Sequence, residues 1–202
     1  MKKKGLLLVI SGPSGAGKGT VCSEYVKRRP DCALSVSATT RAPREGEKEG
    51  ESYFFLTKEE FKKRLSEGGF LEHAQFCGNF YGTPRAAVME MIEGGTDVIL
   101  EIEVQGAMQV RSHYPEAVLI FILPPSRKRL EERLRGRNTE EDDVIKTRLA
   151  RAEKELCFME KYNYVLVNDN LSETVDKLQA VITAEKCRLP RMYEFVNEQF
   201  LK

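Results

Sequence analysis

The chain contains no tryptophan and only two histidines, His73 and His113, among its 202 residues. Its five cysteines (Cys22, Cys32, Cys77, Cys157 and Cys187) are odd in number and never fall in Cys-x-x-Cys spacing. Neither a disulfide framework nor a zinc site is expected from such a set, and scattered thiols suit a reducing compartment. No excess of either charge is present. Thirty-two basic residues face 31 acidic ones, a net charge of +1, which offers no basic surface for nonspecific nucleic-acid binding. Long apolar runs are missing as well. The one after Met1-Lys-Lys-Lys lasts only from Leu6 to Ile10, too short for a signal peptide, and no stretch approaches the roughly 20 residues that span a bilayer. The expectation is a cytoplasmic protein with no nucleic-acid and no membrane partner. Its length allows one sizeable core, or a core carrying small insertions.

What is present is concentrated near the start. Leu6 to Ile10 ends in β-branched residues and predicts a short strand buried on both faces. Gly12, Gly15 and Gly17 follow, then Lys18, and helical spacing runs from Thr20 to Arg28. Strand, glycine loop and helix in that order make an anion cradle. Glycine lets backbone N–H groups close on a phosphate, and the helix adds its positive N-terminal end. Gly12-x-x-x-x-Gly17-Lys18 has the spacing of a phosphate-binding loop, with Lys18 aimed at the outer phosphates of a nucleotide. The strict pattern continues with Ser or Thr, whereas Gly19 stands there and the hydroxyl comes at Thr20. Gly12, Pro13, Ser14, Gly15, Ala16, Gly17, Lys18, Gly19 and Thr20 are therefore the expected cradle, and no metal is assigned a direct protein ligand.

Further along, Ala33 to Ser37 predicts a short strand, Arg41 to Ser52 a charged loop and Tyr53 to Leu56 another strand. Thr57 and Glu60 have capping-box spacing ahead of a helix that Gly68-Gly69 ends. Phe70 to Phe76 predicts a strand followed by a turn at Gly78-Asn79. Thr83 is expected to cap a helix with Pro84 in its first position, stopped by Gly94-Gly95. Asp97 to Val104, which carries Glu101 and Glu103, and Ala117 to Leu123 read as core strands. Ser126 to Arg135 is a basic helix broken at Gly136-Arg137-Asn138. Thr139 to Met159 is a long amphipathic helix with Val144, Ile145, Leu149, Ala152 and Leu156 on one face. Tyr164 to Val167 is a strand, Ser172 caps a helix to Lys186, and Pro190 opens a last amphipathic stretch whose aromatic residues suit core or dimer contacts. The alternation of strands and helices predicts an α/β, doubly wound parallel sheet. Residues of about 35–84 break that rhythm as an inserted α+β lobe, and about 126–150 form a basic hinged flap. The core is left with about 1–34, 85–125 and 151–202.

Thr39-Thr-Arg-Ala-Pro-Arg-Glu-Gly-Glu-Lys-Glu-Gly-Glu-Ser-Tyr-Phe-Phe-Leu56 closely resembles the signature of the guanylate kinases. The resemblance extends from Gly5 to about Leu189 and takes in Gly78-Asn-Phe-Tyr-Gly-Thr83, Glu101-Ile-Glu-Val-Gln-Gly106 and Arg133-Leu-Arg-Gly-Arg137. It implies a P-loop NTPase-type core with a GMP-binding lobe and a closing lid, ATP as phosphoryl donor, Mg²⁺, and GMP as acceptor. It places the acceptor phosphate on Arg41, Arg44, Tyr53 and Tyr81. The guanine falls to Glu72 and Glu103, with the hydroxyls of Ser37 and Thr83, and Asn168 stands where the family contacts adenine. Lys18, Arg133, Arg137 and Arg148 match catalytic positions over the transferring phosphate.

The chemistry agrees with that placement. Arginine grips phosphate oxygens bidentately, and a carboxylate accepts from both the N1–H and the N2 amino group of guanine, where adenine offers an acceptor. Glu101 and Glu103 stand where many family members carry aspartate. Glu103 then contacts guanine or the metal's water shell, and Glu101 has the alternative of pairing with a nearby lysine. A non-catalytic binding module on this scaffold would lose Lys18 and the lid arginines, and a kinase for another acceptor would lack the paired carboxylates. The sequence leaves monomer or homodimer open.

Overall fold

A computed structural model describes residues 4–136 and 142–201. Five strands form one parallel sheet: β1 (Leu7–Ser11), β2 (Cys32–Leu34), β7 (Asp97–Glu101), β8 (Val118–Leu123) and β9 (Tyr164–Val167), in the spatial order β2-β7-β1-β8-β9. β1 is central and sealed on both faces, as its uninterrupted apolar run requires. Leu8 and Ile10 point into one cluster with Val21 and Tyr25 of α1 (Lys18–Arg28) and Leu178 and Ile182 of α7 (Leu171–Lys186). Leu7 and Val9 point the other way, onto Val88 of α3 (Arg85–Glu93) and Ala107 and Val110 of α4 (Val104–His113). Each such side chain contributes ~1.5–3 kcal/mol on burial, so the period-two split of β1 fixes which helices cover which face.

The remaining strands form a second, mixed sheet. β3 (Ala38–Thr39), β4 (Phe54–Phe55), β5 (Phe70–Phe76) and β6 (Asn79–Pro84) lie in the order β4-β3-β6-β5. α2 (Lys58–Ser66) begins with the expected Thr57–Glu60 capping box and drops Phe61 onto Phe70 and Phe80, ring centroids 4.3 and 5.4 Å apart. Gln109 of α4 ties the two sheets together. Its amide oxygen accepts from the His73 N–H at 3.0 Å, and its amide nitrogen donates to the His73 carbonyl at 2.8 Å.

α5 (Arg127–Arg135) and α6 (Asp142–Leu156) carry their own small apolar cluster of Leu130, Leu134, Ile145 and Ala152, with Leu149 half-buried against it. No described helix is long and apolar enough to cross a membrane.

Several local expectations shift. The strand read over Ala33–Ser37 stops at Leu34, and Ala38 already belongs to the second sheet, so the chain changes sheets inside one apolar stretch. The β5–β6 turn is Cys77-Gly78 rather than Gly78-Asn79. Cys77 has φ 47° and Gly78 φ 74°, the pair of positive angles a two-residue hairpin of this hand needs. Thr83 does not cap α3, because its hydroxyl is used elsewhere and Pro84 takes the cap position. α7 is capped by Asn170, whose side chain accepts from the Glu173 N–H at 3.1 Å, not by Ser172.

α6 ends at Leu156, short of Met159, and Val144 and Leu156 stay exposed while Ile145 and Ala152 are buried. A boundary at residue 150 therefore cuts through a continuous helix. Residues 137–141, including Arg137, Asn138 and Thr139, lie outside the described residues. In α8 (Leu189–Val196) and the π-helical turn after it, Tyr193 is 58% and Phe200 74% exposed, so of the two expectations for these aromatic residues, core or dimer contacts, these two are not core within this chain.

Gln109→Ala removes both links to His73 and is expected to lower stability by ~1–3 kcal/mol, because two part-buried backbone groups lose their partners. Denaturant unfolding of the purified variant measures it.

Candidate active site

The loop between β1 and α1 opens at the carboxyl ends of the parallel strands, where β7 and β8 flank β1 on opposite sides. This is the crevice in which open α/β sheets bind ligands. Gly12 (φ 147°) passes so close to β8 that a Cβ there would lie 2.1 Å from the Ile122 carbonyl oxygen. Gly17 (φ 87°) turns the chain into α1 with a left-handed backbone that side chains resist. Lys18, the first residue of α1, curls its ammonium back over the loop and donates to the Gly12 and Pro13 carbonyls at 2.6 and 3.2 Å. Ser14, Gly19 and Thr20 face outward, and Ala16 is buried.

Two residues expected to touch nucleotide brace this loop. Asn168, buried at the end of β9, donates through Nδ2 to the Ala16 carbonyl at 2.8 Å and accepts from Thr174 at 3.3 Å through Oδ1. Both ends of its amide are thus engaged inside the protein. Arg133 of α5 donates to the carbonyls of Ala16 (3.3 Å) and Asn168 (2.8 Å), so its guanidinium lies against the loop backbone. Arg148 is half-buried on α6.

Across the crevice lies a cleft of about 770 Å³ shared by both sheets, with Lys18 at one side and Ser37, Tyr53, Glu72 and Tyr81 at the other. Glu72 is 7% exposed, and Thr83 donates to it at 2.7 Å. Burial pushes this carboxyl above its usual range, against the pull of the Thr83 bond. The Glu72 side chain fits because α4 has Gly106 at the contact, where a Cβ would lie 2.5 Å from Oε2. Tyr53 and Tyr81 meet edge to face at 6.3 Å, and the Arg41 guanidinium lies 5.4 Å from the centre of the Tyr53 ring.

Glu47 organises the charged loop. It accepts from the Arg41 guanidinium and from the Arg44 backbone N–H, each at 2.8 Å, and these two donors hold its carboxyl below the usual range. The Arg44 side chain is exposed.

Glu101, at the end of β7, lies against the first turn of α1, its oxygens 3.3 and 3.4 Å from the position of a Cβ on Gly19. Burial raises its pKa and Lys18 opposes the rise. Glu103 precedes α4 and pairs with Arg151 of α6. Arg151 and Glu155 are among the cleft residues to which the sequence assigned no role. The i,i+4 spacing of Arg151 and Glu155 is visible in the sequence, but the reach of Arg151 to Glu103, 48 positions away, is not.

A second cavity, about 870 Å³, lies under α8 at the amino ends of the strands. Its cations are engaged locally: Lys4 with Glu93, Lys186 with Asp97, and Arg191 with the Lys4 and Gly5 carbonyls.

A glycine loop after the central strand, facing a second sheet across an acidic and aromatic cleft, defines an α/β protein of the P-loop NTPase type. The family model described as Guanylate kinase matches residues 4–185. Guanylate kinases of Clostridium acetobutylicum and Clostridium tetani are 54% and 52% identical, over 95% and 96% of this chain and 91% and 93% of those proteins. The crystal structure of guanylate kinase from Anaplasma phagocytophilum superposes with a TM-score of 0.76 at 35% identity, covering 98% of this chain and 97% of that one. The chain belongs to the guanylate kinase family.

Gly106→Ala tests the contact beneath Glu72. Alanine favours a helix by ~1 kcal/mol, but overpacking costs ~1–3 kcal/mol, and here the neighbour is a buried carboxylate with little room to move. A net loss of stability is expected, read as a lower denaturation midpoint.

Proposed function

We propose that the cleft receives GMP with its base at Glu72 and its phosphate at the Arg41–Tyr53 side, facing ATP held at the glycine loop. As a guanylate kinase the chain is a nucleoside monophosphate kinase, transferring the γ-phosphate of ATP to GMP to give ADP and GDP. The observation that carries the site reading is Glu72. It is a buried carboxylate on the cleft wall, with Thr83 as its hydrogen-bond partner, opposite the one lysine of the loop. Such a group accepts from the N1–H and N2 amino group of guanine, whereas adenine presents an acceptor at N1 and supplies neither donor, a penalty of up to several kcal/mol. Glu103, in the same cleft, joins Glu72 at the base, Ser37 and Thr83 border it, and Tyr81 joins Arg41, Arg44 and Tyr53 at the acceptor phosphate.

On the donor side, the loop N–H groups and Lys18 hold the phosphates. Lys18 now donates to two neutral carbonyls, and a phosphate oxygen is the stronger acceptor. Transfer needs attacking and leaving oxygens held in line while negative charge spreads, which fixed cations stabilise. Arg133, already against the loop, and Arg148 on α6 supply that charge, and Arg137 is assigned the same role. Asn168 acts by bracing Ala16. We assign residues of about 35–84 to the GMP lobe and about 126–150 to a lid, with α6 running from lid into core.

Mg²⁺ travels with nucleotide phosphates and asks for one or two carboxylates, the rest of its shell being water. Glu101, against Gly19 at the entry to α1, fits that need, and Glu103 stands two residues on. The ion would neutralise charge on the transferring phosphate oxygens. The reading is completed by a cytoplasmic location, no nucleic-acid partner, and a monomer or homodimer.

A coupled assay of ADP formation offering GMP, dGMP, AMP, CMP and UMP in parallel tests the assignment. Turnover confined to the guanine nucleotides is expected, and equal turnover with AMP overturns the Glu72 reading.

Glu72 also sets a pH dependence. Its carboxyl titrates above its ordinary value of 4.5, and the protonated form loses an acceptor for guanine. GMP affinity is therefore expected to fall on acidification at a pH higher than an ordinary glutamate would cause, and in Glu72→Gln this displaced limb disappears. Binding of GMP measured by calorimetry across pH reads both.

A further inference from the structure

Arg151 stands one turn beyond Arg148 on α6, the helix that leaves the lid segment and enters the core. Beyond the pairing along its own helix that surface arginines commonly make, it has a second partner on another element. Its Nη2 donates to Glu103 Oε2 across the cleft, while Nε donates to Glu155 Oε1 at 3.0 Å. Both Arg151 and Glu103 line the same cleft as Glu72.

Glu103 occupies the N-cap of α4, yet its side chain makes no capping hydrogen bond. A carboxylate at that position has the free N–H groups of its own first turn within easy reach. Here it turns away from them toward the guanidinium. Glu155 on the far side of Arg151 is itself largely enclosed, and Glu103 is among the groups that hold its carboxyl above the usual range. One guanidinium thus separates two carboxylates that would otherwise repel, and its planar fork serves both at once.

We propose that Arg151 is a positioning residue for base recognition, holding Glu103 turned into the cleft so that the carboxylate meets the 2-amino group of the guanine. The inference rests on the assignment of Glu103 to the base. It also places the residue that orients the base reader on the same rigid helix as Arg148, so base and phosphate are gripped from one element.

Inosine monophosphate is the matched probe, because its purine lacks only the 2-amino group. The quantity to measure is the ratio of kcat/KM for GMP to that for inosine monophosphate, at saturating ATP, in the wild type, R151M, R151K, E103Q and the R151M/E103Q double variant. Methionine keeps the apolar stem of an exposed side chain, so folding is not at issue.

E103Q is expected to cut the ratio about tenfold, and R151M by about threefold or more with KM for ATP unchanged. The double variant should lose no more than E103Q alone, because both changes break one arrangement. R151K, with charge but no fork, should fall between wild type and R151M. If E103Q lowers the ratio while R151M leaves it unchanged, or R151M weakens both nucleotides equally, Arg151 does not position Glu103. If E103Q itself leaves the ratio unchanged, the assignment of Glu103 to the base fails first and the inference falls with it.

Discussion

The glycine loop of this protein depends on how closely two backbones approach. Where β1 ends, the chain passes β8 with no room for even a methyl group at Gly12, because the Ile122 carbonyl fills that space. The loop must therefore curl inward. Its curl is held from behind by Asn168 and Arg133, both bonded to the Ala16 carbonyl. One carbonyl so becomes the anchor for the end of β9 and for α5. A cradle of backbone donors built this way is preorganised, which is what stabilising a developing charge requires.

The second sheet brings to the cleft a carboxylate kept out of water. Taking Glu72 into the seam between β5 and α4 costs solvation, and the structure recovers only part of that cost through Thr83. In the proposed site a ligand with two donors on one edge would recover more, a general route to selectivity that contact alone does not give. Gln109 keeps the arrangement stiff by pinning β5 to the helix that carries Gly106. The wall that carries Glu72 is thus tied to α4, even though it belongs to the second sheet.

Much of this was legible in the residues. Glycine spacing, Lys18 and the apolar run before them specify a strand, a loop and a helix by local chemistry alone, and the charged signature from Thr39 to Leu56 carried the family resemblance that the family model and the relatives bear out. Partners far along the chain were not legible. Thr83 suits a helix cap by its neighbours, yet its hydroxyl bonds Glu72, 11 positions away. Asn168 and Arg151 reach Ala16 and Glu103, 152 and 48 positions away, and Arg151 keeps its helix partner Glu155 as well. Local propensity is a weak prior, and a distant buried partner readily overrides it. The Cys77 turn was misplaced by one residue because register across the hairpin, not the glycine alone, sets where positive backbone angles fall.

By itself, then, the sequence determined the order of elements and the glycine loop with its lysine, because these follow from periodicity and from groups adjacent along the chain. Only the tertiary structure decided which carboxylate is buried, which arginine braces the loop and which reaches across the cleft. Those are properties of desolvation and of contacts between segments far apart in the chain, and neither quantity exists until the two sheets and the helices between them have packed.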